Sequence, residues 1–288
     1  DSIYGELYAQ HIDSEGNLLW NQPILISGDI NIKLLSQQNM CSDRIGGVYV
    51  TWYEDSGAGD GNYYGTHLKS DQSIVSPVIL IQTQENYGNV SLESAGGGDA
   101  VIAWKEGDMG NENIYAQLIQ ANHTSDSINK VWNAGLPLDV CTSEGRQISP
   151  KVTYYSDDYV VLVWEDWPEP NVSGIGGNFI DHDTGELIFS PDGDEDLIYT
   201  MDSPSSSFPR VKASPEGAFV VWLSADDVHK VQKMTPDNIT VWDEPVLLST
   251  GQSQQQARLS ADSDGGVIIT WEDNKSIAVS HVDANGNQ

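Results

Sequence analysis

A short apolar run ending in tryptophan, followed in most copies by an acid, comes round five times in this chain. The copies are Val48–Trp52 with Glu54 and Asp55, Val101–Trp104 with Glu106, Val160–Trp164 with Glu165 and Asp166, Phe219–Trp222, and Val267–Trp271 with Glu272 and Asp273. Successive tryptophans lie 52, 60, 58 and 49 residues apart. A near-regular interval of about 50 residues marks a repeat architecture, in which each unit buries its apolar faces only against its neighbours.

Each unit reads as four short strands, A to D. Strand A is exemplified by Asn89–Glu93, Pro150–Tyr154, Pro209–Ala213 and Ala257–Ala261. Turns rich in Gly and Asp follow, such as Asp43–Gly47 and Asp262–Gly266; these residues supply the positive φ angles of tight hairpins. Strand B is the tryptophan phrase, and it is nearly continuously apolar, as a strand is when both its faces are covered. Strand C is more amphipathic (Ile114–Ile119, Ile277–Val282), and strand D often follows a second tryptophan, as in Trp20, Trp132 and Trp242. No helical periodicity with caps appears. A sandwich strand alternates because one face is wet; strand B does not. The expectation is therefore all-β, a single β-propeller domain over residues 1–288 built of four-stranded blades.

The chain opens with a C and a D strand and closes with A, B and C. An N-terminal strand completing the C-terminal unit would close the ring and hide two sheet edges. That gives five blades with one C strand to spare, which sits outside the ring unless the chain is part of a longer one with further blades. Starting at Asp1 without Met, the chain reads as a mature or trimmed form.

The formal charge is −30, from 43 acids against 13 bases. Nucleic acid and anionic membranes are poor partners for such a surface, because both need clustered Lys and Arg. Solubility in a crowded exterior is the simple reading of the charge. Cation binding is the sharper one, with Ca²⁺ first because it takes carboxylate and carbonyl oxygens. Cys41 and Cys141 fall on different units and read as two buried thiols. No apolar run of roughly 18 residues exists to span a bilayer as a helix.

The frame Gly265-Gly266…Trp271-Glu272-Asp273, the strands Tyr8–Asp13 and Ile114–Gln117, and Gly16–Trp20 together resemble repeats of large secreted bacterial proteins. Those repeats are read as β-propellers on cell-surface or exported chains. The resemblance covers nearly the whole chain and implies fold and an extracellular or surface location. It implies little about activity. The third and fourth units depart from it at Gly177–Asp181 and Val228–Gln232.

Three sets of residues could carry function. The acids after strand B, namely Glu54, Asp55, Glu106, Asp108, Glu165, Asp166, Asp226, Glu272 and Asp273, would ring one end of a propeller and bind a ligand or cation there. Their recurrence in every unit equally suits turn-forming acceptors. Trp167 is off the repeat frame, in a Pro-rich B–C segment; an exposed ring there would stack on a sugar or grip a peptide. Asp181, Asp183 and Glu186 have a spacing seen in calcium loops, but Asp13–Gly16 and Asp283–Gly286 occupy the same place in their units and read as plain C–D hairpins. Asp55–Asn62 and Asp192–Asp196 are further acidic clusters. No His-x₃-His, Gly-x-Ser-x-Gly or phosphate loop occurs.

The reading that follows is a non-catalytic binding or assembly module of a secreted or cell-surface protein. It would take a glycan or a surface protein on the face of the B–C loops, with no required cofactor, as a monomeric domain within a larger chain. One alternative is a glycoside hydrolase using axial carboxylates, which needs a pair about 5–10 Å apart with split pKa values. Another is a purely structural repeat domain.

Overall fold

The computed structural model describes residues 5–27, 35–55, 61–82, 88–170, 172–189, 197–199, 206–248, 257–273 and 276–288. Among them are twenty-two strands and no α-helix. An N-terminal sheet pairs β1 (Tyr8–Ala9) with β2 (Ile24–Leu25). Sheet I is β3 (Leu35–Ser42), β4 (Gly47–Asp55), β5 (Gly61–Lys69) and β6 (Val78–Gln82). Sheet II is β7 (Gly88–Gly96), β8 (Asp99–Asp108) and β9 (Asn111–Asn122), with β10 (Ser127–Lys130) and β11 (Leu138–Cys141) both on β9. Sheet III is β12 (Arg146–Tyr154), β13 (Tyr159–Glu169), β14 (Val172–Asp181) and β15 (Leu197–Tyr199). Sheet IV is β16 (Ser207–Ser214), β17 (Gly217–Leu223), β18 (His229–Met234) and β19 (Val246–Leu247). The C-terminal sheet has three strands, β20 (Arg258–Ala261), β21 (Val267–Asp273) and β22 (Ser276–Val282). Every strand pair is antiparallel, and apart from β11, which joins β9 beside β10, the sheets are meanders, the order that short Gly- and Asp-rich turns impose.

The tryptophan phrase forms β4, β8, β13, β17 and β21. Its near-continuous apolar character is explained by burial on both faces. Residues three and one before the tryptophan pack on the following sheet, as Val161 and Val163 do against sheet IV. Residues four and two before it, and the indole itself, pack on the preceding sheet, as Ala218, Val220 and Trp222 do. The same rule holds at the junctions I–II, II–III and IV to C-terminal. Each fully buried aliphatic or aromatic side chain contributes about 1.5–3 kcal/mol, so the sheets are held mainly by these junctions. Where the C strand offers Tyr64 or Tyr115 opposite the tryptophan, the rings stack at 6.0 Å. In sheet III Gly176 stands there, and a Cβ would come within 2.3 Å of the Trp164 ring.

Closure differs from expectation. β1 and β2 pair with one another, and this hairpin packs through Leu7, Ala9 and Ile26 on Trp52 of sheet I. Trp20 ties it down by donating its Nε1–H to the Ser70 carbonyl at 3.2 Å. The C-terminal sheet gains no fourth strand among the described residues. The hairpin's own turn, capped by Asp13, is a local contact that closes with little loss of chain entropy, whereas pairing across the whole chain closes a very long loop. Cys41 and Cys141 are buried, free thiols.

Candidate functional site

The first strands of successive sheets, β3, β7, β12, β16 and β20, contact one another and so line the centre. Directly opposite the residue that precedes each repeat tryptophan, these strands place Asn39, Ser91, Lys151, Arg210 and Arg258. Five equivalent positions therefore carry two neutral polar groups on sheets I and II and three cations on consecutive sheets thereafter.

A backbone device recurs beside them. The register shifts just before Asn39, Ser91, Lys151 and Arg210. Two residues upstream of each stands a non-glycine residue with positive φ: Gln37 at 52°, Asn89 at 52°, Ser149 at 59° and Phe208 at 56°. A bulge inserts one residue and re-aims the strand. Holding a non-glycine in the left-handed region costs on the order of 1 kcal/mol. Four copies at one place mean that the bend of the central strands is built in.

The three cations also share a pose. Lys151 Nζ donates to the Pro150 carbonyl at 2.9 Å, Arg210 Nη1 to the Pro209 carbonyl at 2.9 Å, and Arg258 Nη1 to the Ala257 carbonyl at 3.4 Å. They lie close enough to repel. Burial, then Arg210, pushes the Lys151 ammonium down to about 8; burial, then Arg258, lowers Arg210. Glu165, on β13, opposes both effects. In a chain with 13 bases against 43 acids, three at one ring position form a concentrated positive spot in an otherwise negative field.

The acids named from sequence are mostly employed in the scaffold. Glu54 accepts the Trp52 indole N–H at 2.6 Å, and Glu106 that of Trp104 at 3.1 Å. Burial raises the Glu54 carboxyl despite that bond. Glu165 is buried and links two sheets, accepting from Trp167 Nε1 at 3.3 Å and from the Phe208 backbone N–H at 3.0 Å. Asp166 accepts from Gln147 at 3.0 Å, and burial raises its carboxyl. Asp226 accepts the Ser224 hydroxyl. Asp108 and Glu272 are exposed, Asp273 is half-buried, and the Asp55 side chain lies outside the described residues, as does Asp192–Asp196. These acids are thus not equivalent around one ring.

Trp167 is not in a loop. It lies on β13 opposite Arg146, half-buried, and its indole is committed to Glu165. Asp181 shapes a hairpin: its Oδ1 accepts the N–H of Asp183 at 3.1 Å, and both the N–H and the hydroxyl of Thr184 at 2.8 Å. Asp13 and Asp283 do the same in their hairpins. Asp183 pairs with His182 at 2.9 Å, and Glu186 is exposed. With Asp181 spent on its turn, excess EDTA should leave the melting temperature unchanged. A fall of several degrees, reversed by Ca²⁺, would restore the cation reading.

A second polar cluster opens into a cavity of about 350 Å³ lined by Asp43, His67, Lys69, Gln120 and His123 among others. Asp43 Oδ2 meets His67 Nε2 at 2.8 Å, and His67 Nδ1 meets His123 Nε2 at 2.7 Å. Asp262 and His281 repeat the first contact, so the Asp–His pair belongs to the scaffold and His123 is the addition.

No protein-family profile matches the chain, and no curated protein does. Among solved structures, Trypanosoma rangeli sialidase in complex with sialic acid superposes with a TM-score of 0.58 at 9% identity, over 99% of this chain and 51% of that one. The fold is a β-propeller. A protein of unknown function from Dyadobacter fermentans superposes with a TM-score of 0.51 at 9% identity, over 88% and 80% of the two chains. Penicillium chrysogenum α-L-arabinanase complexed with arabinobiose reaches 0.49 at 11% identity, over 84% and 77%. The propeller spans about half the length of the sialidase (51%), and at such identities the likeness is one of fold.

Proposed function

We propose that this propeller is a non-catalytic recognition module for acidic glycans, carried on a secreted or cell-surface protein. The observation that supports the reading is the half-ring of Lys151, Arg210 and Arg258 at one register position on three consecutive central strands. A carboxylate-bearing sugar would set its charge on that side and its hydroxyls toward Asn39 and Ser91. Charge-assisted bonds from Arg and Lys are the strong contacts available for such a group. The central position favours a narrow sugar chain over a flat protein surface. The sialidase relative, described in complex with sialic acid, lends the glycan class its support; the resemblance to secreted repeats and the charge of −30 support the location.

Hydrolysis is the weaker reading. Glu165 and Asp166 have differently placed carboxyls, but consecutive strand residues point to opposite faces, so they do not face each other across one bond. Both oxygens of Glu165 already accept hydrogen bonds.

The test is calorimetric titration with an oligo-uronate and with its methyl ester, which keeps the sugar backbone but carries no charge. We expect binding of the acid only, weakened at least tenfold in Arg210→Met and falling with added salt. Equal binding of the ester would overturn the acidic-glycan reading, as would binding of neither. Release of new reducing ends would overturn the non-catalytic one.

A further inference from the structure

The packing rule of the sheets leaves two faces unmet. In the C-terminal sheet the forward-packing positions are Ile268 and Thr270 on β21, with Ile277 and Val279 beside them on β22. Their counterparts in sheet II are Val101, Ala103, Ile114 and Ala116, all 0% exposed against sheet III. Here Ile277 is 75% exposed, Val279 64% and Ile268 40%. At the other end, β1 packs forward through Leu7 and Ala9. Its backward side carries Tyr8 and Ile12, 52% and 56% exposed. Those two correspond in strand C to Tyr115 and Ile119, which sheet II uses to cover sheet I.

The two open faces are thus the two halves of one interface, which the molecule already makes between each neighbouring pair of its sheets. Each half alone strands large apolar side chains in water, and their shapes are matched by the repeat itself. We propose that the C-terminal sheet of one copy docks on the N-terminal sheet of a second copy, head to tail, with Ile268, Ile277 and Val279 against Tyr8 and Ile12. The contact is heterologous, so it propagates rather than closing as a two-fold dimer. It is also small, being limited on one side to a two-stranded hairpin, and belongs with weak, concentration-dependent interfaces. This inference is independent of the glycan reading.

The test uses two double variants, Ile277→Asp/Val279→Asp and Tyr8→Asp/Ile12→Asp. All four residues are exposed, so the fold should survive, and circular dichroism checks that it does. In sedimentation velocity the unchanged chain should show a mass that rises with concentration, while each variant alone stays monomeric. Mixing the two variants should restore a one-to-one complex, because one keeps the C-terminal face and the other the N-terminal face. A wild-type monomer at all concentrations would overturn the proposal. So would association of a single variant with itself, or failure of the mixture to associate.

Discussion

Trp222→Ala is expected to destabilise the protein by about 3–5 kcal/mol, the range for removing a buried indole. The side chain has no exposed surface and sits among Val161, Val163, Ile175 and Phe179 of sheet III and Val220 and Met234 of its own sheet. Neither sheet can relax into the void without giving up its other junction, so the cavity should persist. A domain's whole stability is only about 5–15 kcal/mol, so this one change removes a large part of it. Trp167→Ala should cost only about 1–2 kcal/mol, since the ring is half-buried and less area returns to water. Urea unfolding of the two variants beside the parent decides the matter. A Trp222→Ala loss no greater than that of Trp167→Ala would mean that the sheet junctions are not what holds the propeller together.

That contrast also shows where sequence reading succeeds. The tryptophan phrase is buried on both faces, so its composition reports directly on packing, and strands A to D follow in the expected order. Pairing at the ends was not legible, because hydrophobic pattern says which face is covered and not which strand lies alongside. The hairpin of β1 and β2 took the local partner. Among the candidate residues, the acids stood out because they recur, yet recurrence marks scaffold. Glu54 and Glu106 reach the indole two residues back; Asp166, one methylene shorter, at the same offset from Trp164, bonds Gln147 instead. The cations do not stand out in the sequence, because they occupy only three of the five units. The signal was nonetheless present in Pro150-Lys151-Val152, Pro209-Arg210-Val211 and Ala257-Arg258-Leu259, a basic residue at one place in a base-poor chain. The bulges beside them had little signal: of Gln37, Asn89, Ser149 and Phe208, only Asn89 is of a type that visits the left-handed region readily.

Lys151→Met should move stability and binding in opposite directions. The Lys151 ammonium is held near 8 by burial and by Arg210, against an ordinary value of about 10.4. Below pH 8 the lysine is charged in the folded and unfolded chains alike, and the folded state bears the full penalty of burying that charge. Between the two values the folded chain sheds the proton while the unfolded chain keeps it, so stability rises with pH through this window. Above it the penalty is gone. A shift of this size corresponds to about 3 kcal/mol at most, and partial solvent screening of a half-buried group reduces it to roughly 1–2 kcal/mol. Methionine fills a similar volume without the charge, so the variant should be more stable at pH 7 by about that amount. Removing a cation from a chain of charge −30 also adds some general repulsion at pH 7, which offsets part of the gain; by pH 10 the folded parent has itself shed that charge. The comparison at the two pH values therefore reports the net effect of the buried ammonium: a gain at pH 7 that shrinks by pH 10. Affinity for the oligo-uronate should drop at least tenfold in the same variant. A residue that weakens the fold yet is needed for a ligand is strained for function. If Lys151→Met instead destabilises the protein at pH 7 and leaves uronate binding intact, the half-ring is a structural feature of the central strands and not a binding site.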